Sequence, residues 1–178
     1  GKRCSQGLNI QTVATSKRSE ELARKKNIPV CNINQVDTIH LTVDGADFVD
    51  MKKNLVKGLG GALLREKIIA HLSLDMLVLV DEKKVVEEFQ NFILPVEIVP
   101  FAWKQTLGLM QSTDINTRMR QDTNGALYIT DNDNYICDLH IRKKCTTPKA
   151  LQNKLLSIPT VIDTGFFLEQ AKRIAIGF

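Results

Sequence analysis

"IHLTVDGADFVDMKKNLVKGLGGALLREKIIAHLSLDMLVLV", residues 39–80, changes its hydrophobic period twice, and those changes decide the fold. Ile39 to Val43 alternates as a strand does, and Gly61 to Leu72 repeats its apolar residues at helical spacing. Met76 to Val80 is a continuous apolar run, the pattern of a strand buried on both faces. Upstream, residues 8–15 (LNIQTVAT) read as another strand and Ser16 to Lys26 as a helix, with Ser16 as its cap and Glu20 and Glu21 in its first turns. Strand, helix, strand, helix, strand predicts a Rossmann-like, doubly wound parallel sheet of the α/β class.

After Pro95 the rhythm shifts. Val96 to Val99 reads as extended and Phe101 to Gln111 as helical. Ile115 to Arg120, Ala126 to Thr130 and Tyr135 to Ile141 then read as strands joined by Asn, Asp and Gly turns. A helix from Pro148 to Leu156 ends at Ile158-Pro159, and Arg173 to Ile176 returns as a last strand. Hairpin strands flanked by two helices predict a small α+β lobe inserted before that strand. The expected division is 1–95 with 171–178 for the sheet domain and 96–170 for the lobe.

Composition removes several classes of function. A chain of 178 residues can bury one sizeable core with a small second lobe. Apolar residues at 43% and charged residues at 25% are ordinary for a globular protein, and no apolar run approaches the roughly 20 residues of a membrane helix. Gly1 to Ser5 lacks the apolar core of a secretory signal, so the expectation is a cytoplasmic protein with no membrane partner. Cys4, Cys31, Cys137 and Cys145 lack C-x-x-C spacing, which predicts free thiols and neither a zinc site nor a disulfide framework. The net charge of +4 is spread over Lys17-Arg18, Arg24 to Lys26, Lys52-Lys53, Lys83-Lys84 and Arg142 to Lys144, with acids close by. No aromatic stripe or basic tail accompanies these clusters, so nucleic acid is not an expected partner, while small anions remain open.

The chemistry concentrates in the opening stretch. Ligands of open parallel sheets bind beyond the carboxyl ends of the strands, and Asp44 follows the 39–43 strand directly, with Asp47 three residues on. Asp50, further along, reads as a turn former. Lys57 stands at the mouth of Gly58-Leu59-Gly60-Gly61, whose glycines permit a tight turn and close ligand approach before a helix N-terminus that favours anions. The spacing matches neither a dinucleotide fingerprint nor a nucleoside triphosphate loop. Glu66 lies three residues from Leu63 and from Ile69, on the border of the apolar stripe, where desolvation raises a carboxyl toward the range of a neutral-pH base. The aspartates do not form a calcium loop, and His40, His71 and His140 read as structural, so no metal is expected.

These residues resemble a family. D-G-A-D followed by N-L-V-K-G-x-G-G-A-L-L-R-E-K is similar to the signature of ribose-5-phosphate isomerase of the A type. The likeness continues through Val80 to Lys84, Leu94 to Ala102, Thr130 to Asp138 and Ile158 to Phe167. It implies a sheet domain with a ferredoxin-like lobe, and interconversion of D-ribose 5-phosphate and D-ribulose 5-phosphate in the pentose phosphate pathway, with no cofactor and as a homodimer or homotetramer. On this pattern Glu66 is the proton-transferring base, and Asp44 and Asp47 hold sugar hydroxyls and assist ring opening. Lys57 lies against the reacting oxygens, Gly45, Ala46, Gly58, Leu59 and Gly60 border the substrate, and Lys84 contacts it at the phosphate.

The chain departs from the pattern at Phe48, where the family usually has glutamate, and at Leu59, usually glycine. The resemblance also implies an N-terminal strand, phosphate-holding loop and helix before position 1, and a tail after position 178. Two other readings use the same residues: a sugar-phosphate-sensing domain of this fold, which needs no proton-shuttling glutamate, and a metal-dependent phosphatase built on the aspartates.

Overall fold

A computed structural model describes residues 2–112 and 115–177. Lys2–Ser5 is a single helical turn (α1), and Ser16 caps α2 (Lys17–Lys25) by accepting the Ser19 N–H at 3.0 Å, as its residue type predicts. The strand expected over 8–15 reduces to one parallel bridge between Thr12 and Val30. The Pro29 carbonyl accepts both the Thr12 N–H and its hydroxyl, but a proline nitrogen has no hydrogen with which to extend a ladder.

The parallel sheet runs in the order β1-β4-β11, from β1 (Thr42–Gly45), β4 (Met76–Asp81) and β11 (Arg173–Gly177). Strand β1 starts later than its pattern predicts, because upstream only Ile39 bridges to Ser73, and it ends by including Asp44 and Gly45. Asp44 is therefore a strand residue, held in register opposite Val78. The expectation that β4 is buried on both faces fails. Met76, Val78 and Val80 are buried in one cluster with Phe167 and with Ala70 of α3 (Leu63–Leu72). On the opposite face Leu79 is 49% exposed, as is much of Val43. The run is apolar enough for two-sided burial, yet the described elements pack against one side.

A second sheet was not anticipated: β10 (Phe166–Phe167), β3 (Leu55–Val56), β2 (Phe48–Asp50) and β5 (Val85–Val86), in that order. Strands of two or three residues leave no period to read. The third sheet is antiparallel with order β7-β8-β6-β9, from β6 (Phe92–Ile98), β7 (Ile115–Met119), β8 (Tyr135–Ile141) and β9 (Val161–Thr164). Strand β6 runs through Pro95, across the position where the sequence divides the two lobes, and β9 pairs with it only from Val96 onward. Residues 126–130, expected as a strand, make only the bridges Leu127 to Gln121 and Ile129 to Tyr135. The Asp122 carboxylate accepts the Asn124 and Ala126 N–H groups and turns the chain back too early for a longer ladder.

Helices α4 (Trp103–Met110) and α5 (Pro148–Leu156) supply Met110 and Leu155 to the larger core, which they share with Leu94, Val96, Ile98, Cys137 and Leu139. Phe89, Phe92 and Phe166 close one end, with ring centroids 5.7 to 6.1 Å apart. No helix among the described residues is long and apolar enough to cross a membrane.

Gly165 fastens the sheets together. Its N–H donates to the Pro95 carbonyl at 2.6 Å, and its carbonyl accepts the Lys57 N–H at 2.8 Å. A Cβ there would collide with the Lys57 carbonyl and with Pro95 Cδ. Gly165→Ala should therefore destabilise the protein by about 1–3 kcal/mol through overpacking against backbone. Urea unfolding checks this against Gly177→Ala, whose new methyl meets only the Val80 carbonyl at 4.0 Å. Equal midpoints for the two variants would refute the steric account.

Candidate active site

Four short elements bring the site together. Strand β1 carries Asp44, the turn into β2 carries Asp47, the residue after β3 is Lys57, and the first turn of α3 carries Glu66. The Lys57 side chain is only 4% exposed. Its ammonium lies 3.0 Å from Asp44 Oδ2 and 3.3 Å from Glu66 Oε2, and it donates to the Gly45 carbonyl. Beneath it is the Phe167 ring, with the centroid 5.4 Å from Nζ. Asp44 Oδ2 and Glu66 Oε2 are buried oxygens whose neighbouring positive charge is the Lys57 ammonium. Two carboxylate oxygens thus stand beside one ammonium, each able to take another donor.

Burial pushes the Glu66 carboxyl above the usual carboxylate range. The charges of Asp44 and Asp47 push the same way, and Lys57 opposes them. The helix border read from the sequence does half-bury this side chain. Asp47 performs a second task, accepting the Leu59 N–H on Oδ2 at 3.0 Å and so tying the glycine-rich turn to the β1–β2 turn.

That turn requires glycine at particular positions. Gly58 and Gly61 have φ of +103° and +85°, and a Cβ on Gly58 would lie 2.9 Å from Leu63 Cβ. Gly60 has open space around it.

Lys84 donates to the Ala46 carbonyl at 2.8 Å and lines a cavity of about 450 Å³ with Leu79, Val80, Asp81 and residues 175–177. This cavity opens at the carboxyl ends of β4 and β11, where parallel sheets bind ligands. Asp50 accepts the Lys52 and Asn54 N–H groups and shapes the β2–β3 turn, matching its reading as a turn former. No group of three metal-ligating side chains occurs among the described residues, and the four cysteines are free. Cys137 is an inert thiol, pushed up to about 12 by burial and by the adjacent Asp138.

Sequence reasoning passed over the residues that hold this arrangement. Arg65 and Lys67 flank Glu66 and reach in different directions. Arg65 donates to Asn132 Oδ1 at 2.8 Å and to the Asp131 carbonyl at 2.7 Å. Lys67 donates to Asp163 Oδ1 at 2.5 Å and to the Thr164 carbonyl at 2.6 Å, with its Nζ 5.0 Å from the centroid of the Phe167 ring. The R-E-K triplet was the available signal, since both neighbours of a half-buried glutamate are long cations. Arg120, which reaches the glycine turn from beyond β7 with Asp138 as its partner, has no local signal.

Residues 11–178 match the family model for ribose 5-phosphate isomerase A (phosphoriboisomerase A). The chain is 41% identical over 177 residues to ribose-5-phosphate isomerase A of Bacillus mycoides (strain KBAB4), covering 99% of this chain and 80% of that one. It is 45% identical over 179 residues to the protein of that name from Thermoplasma volcanium, covering 99% and 73%. Among solved structures, a D-ribose-5-phosphate isomerase in complex with phospho-erythronic acid superposes with a TM-score of 0.91 at 36% identity, covering 98% of this chain and 77% of that one. Ribose 5-phosphate isomerase A from Methanocaldococcus jannaschii superposes with a TM-score of 0.90 at 26% identity, covering 98% and 77%.

The raised Glu66 carboxyl has a consequence for stability. A carboxyl whose folded pKa exceeds its unfolded value binds its proton more tightly in the native state, so its contribution falls as pH rises through that interval. Glu66→Gln removes this dependence. The variant should match or exceed the parent in stability at neutral pH, with the difference shrinking as pH falls below the ordinary carboxylate range. Urea unfolding of both proteins between acid and neutral pH measures it. A variant destabilised most at neutral pH would contradict the sign.

Proposed function

This chain belongs to the ribose 5-phosphate isomerase A family, and we propose that Glu66 is the base that moves the proton when it interconverts D-ribose 5-phosphate and D-ribulose 5-phosphate. The observation that carries this reading is the half-buried Glu66 carboxylate 3.3 Å from the ammonium of the buried Lys57. Shifting a carbonyl from C1 to C2 requires removal of the C2 proton and its return at C1, through an enediolate. One carboxylate on one face of the sugar performs both transfers, and a carboxyl raised by burial is matched to that work near neutral pH.

Negative charge develops on the C1 and C2 oxygens as the proton leaves. Lys57 supplies a fixed positive charge beside the base, and the first N–H groups of α3 add theirs. Glu66 and Lys57 are thus a base and an electrostatic stabiliser in contact, drawn from the first turn of α3 and the residue that follows β3.

Asp44 and Asp47 bind sugar hydroxyls and assist opening of the furanose ring. Asp44 Oδ2 lies 3.0 Å from the Lys57 ammonium, and Asp47 Oδ2 accepts the Leu59 N–H of the glycine turn. Lys84, at the carboxyl end of the parallel sheet, receives the phosphate with its remaining donors, while Gly45, Ala46 and Gly58 to Gly60 contribute backbone to the substrate wall. The division into a sheet lobe and a smaller lobe rests on the change of hydrophobic rhythm after Pro95, function in the cytoplasm on the pattern of the N-terminal residues and cysteines, and assembly as a homodimer or homotetramer on the family resemblance; these complete the proposal.

Glu66→Gln should lose roughly 10²–10⁴-fold in turnover, the usual contribution of a positioned base, while binding ribose 5-phosphate within about threefold of the parent. Single-turnover isomerisation and calorimetric titration separate the two quantities, and near-normal turnover would remove Glu66 from the role. Lys84→Ala should instead weaken binding of ribose 5-phosphate by roughly tenfold or more, the scale of one hydrogen bond to a charged group, and leave turnover at saturation nearly unchanged. A dissociation constant equal to the parent's would take Lys84 out of the phosphate site. Isomerase activity should also persist in excess EDTA, and its loss, restored by a divalent cation, would contradict a cofactor-free mechanism.

A further inference from the structure

We infer that Arg120, held by Asp138, is a positioning residue that fixes the glycine turn so that the Gly60 N–H is presented to the substrate, an inference that rests on the isomerase reading above. Arg120 follows β7 and its backbone is pinned on both sides. Its N–H donates to the Ile136 carbonyl at 2.8 Å, and its carbonyl accepts the Tyr128 N–H at 3.0 Å. The side chain is 12% exposed and uses one edge of its guanidinium for Asp138, with Nε 2.9 Å from Oδ2 and Nη2 2.5 Å from Oδ1. The remaining nitrogen, Nη1, donates to two successive carbonyls of the turn, Gly58 at 2.9 Å and Leu59 at 3.0 Å. A planar fork with donors on two edges makes this possible, and a lysine ammonium cannot reproduce it.

These contacts fix two peptide planes. The peptide between Gly58 and Leu59 is held at both ends, its carbonyl by Arg120 and its N–H by Asp47. The next peptide, between Leu59 and Gly60, is held by its carbonyl alone. It is trans, so its N–H points away from the guanidinium. That N–H has no acceptor among the described residues. Tyr128 closes the same arrangement from the far side, with its ring 5.9 Å from the guanidinium carbon and its hydroxyl packed where a Cβ on Gly61 would have to sit. An amide in a preset orientation needs no reorganisation when charge develops on a substrate oxygen, which is the condition under which a single donor has most effect.

The assignment is tested with Arg120→Lys and Asp138→Asn, using steady-state isomerisation of ribose 5-phosphate and amide hydrogen exchange across residues 57–62. The expected result for Arg120→Lys is a fall in kcat of roughly 10- to 100-fold, below the loss of a complete oxyanion donor, with KM changed less than about threefold. The Leu59 amide should exchange at least roughly tenfold faster while amides of β8 exchange at the parent's rate, the signature of local opening. Asp138→Asn should shift both quantities in the same direction by less. In Arg120→Ala, millimolar guanidinium should restore part of kcat without slowing exchange in β8. Unchanged exchange at Leu59, or faster exchange with unaltered kcat, would overturn the assignment. Absence of isomerisation by the parent protein, with the exchange difference intact, would count against the isomerase reading and leave the positioning geometry standing.

Discussion

The Lys57 ammonium is the charge around which the site is arranged. Removing an ammonium from water costs several kcal/mol unless charge and hydrogen bonds replace the solvent, and here the Gly45 carbonyl, Asp44, Glu66 and the Phe167 ring do so. The replacement overcompensates. Asp44, Asp47 and Glu66 bring three carboxyls to the neighbourhood of one buried lysine, and Glu66, with little exposure and no well-directed donor on Oε2, is the one pushed toward holding a proton. A buried ion pair is weak evidence of stability. What the arrangement yields here is a carboxyl of raised proton affinity with an adjacent positive charge.

Holding that imbalance together falls to the surrounding elements. Helix α3 has no side-chain cap at Ala62, so its first turn is not fixed by the usual local device. Arg65 and Lys67 anchor it instead, one to the 131–132 turn and the other to the end of β9, with Glu66 between them. The Arg65 anchor is itself built on a buried carboxylate. Glu97 Oε1, near the end of β6, accepts from Thr130 Oγ1 and from the side-chain amides of Asn132 and Asn134 at 2.9 to 3.2 Å. The turn that receives Arg65 is thus specified from the core of the antiparallel sheet, and both that sheet and the parallel one bear on the position of a single glutamate.

What the sequence made legible follows from how local each cause is. Ser16 as a cap, β8 over Tyr135 to Ile141 and α5 over Pro148 to Leu156 are set by residues within a few positions of one another. Asp44, Asp47, Lys57 and Glu66 fall within one continuous stretch whose order is itself distinctive, so they could be singled out before any coordinates. The β10-β3-β2-β5 sheet could not, since its strands are too short to carry a period and exist only through pairing. The exposed face of β4 was misread because an apolar run records what a strand tolerates on both sides, not which side is covered. Arg120 was invisible for a related reason: its partners Gly58 and Leu59 are backbone carbonyls far away in the chain, and a carbonyl leaves no mark in a sequence.

The two departures from the family pattern become intelligible in the same terms. Leu59 replaces a usual glycine, yet among the described residues the positive φ values of this turn belong to Gly58 and Gly61 and not to position 59. What the turn takes from residue 59 is its N–H, given to Asp47, and its carbonyl, given to Arg120, while the side chain is 46% exposed. Any residue except proline supplies those two backbone groups, so a leucine leaves the geometry intact and adds apolar surface at the rim. Phe48, in place of a usual glutamate, pairs with Val56 across β2 and β3 and packs against the larger core. Phe48 is uncharged and its strand pairs with the one that precedes Lys57, so the Glu66 carboxyl is raised first by burial, with the charges of Asp44 and Asp47 adding to it and Lys57 opposing.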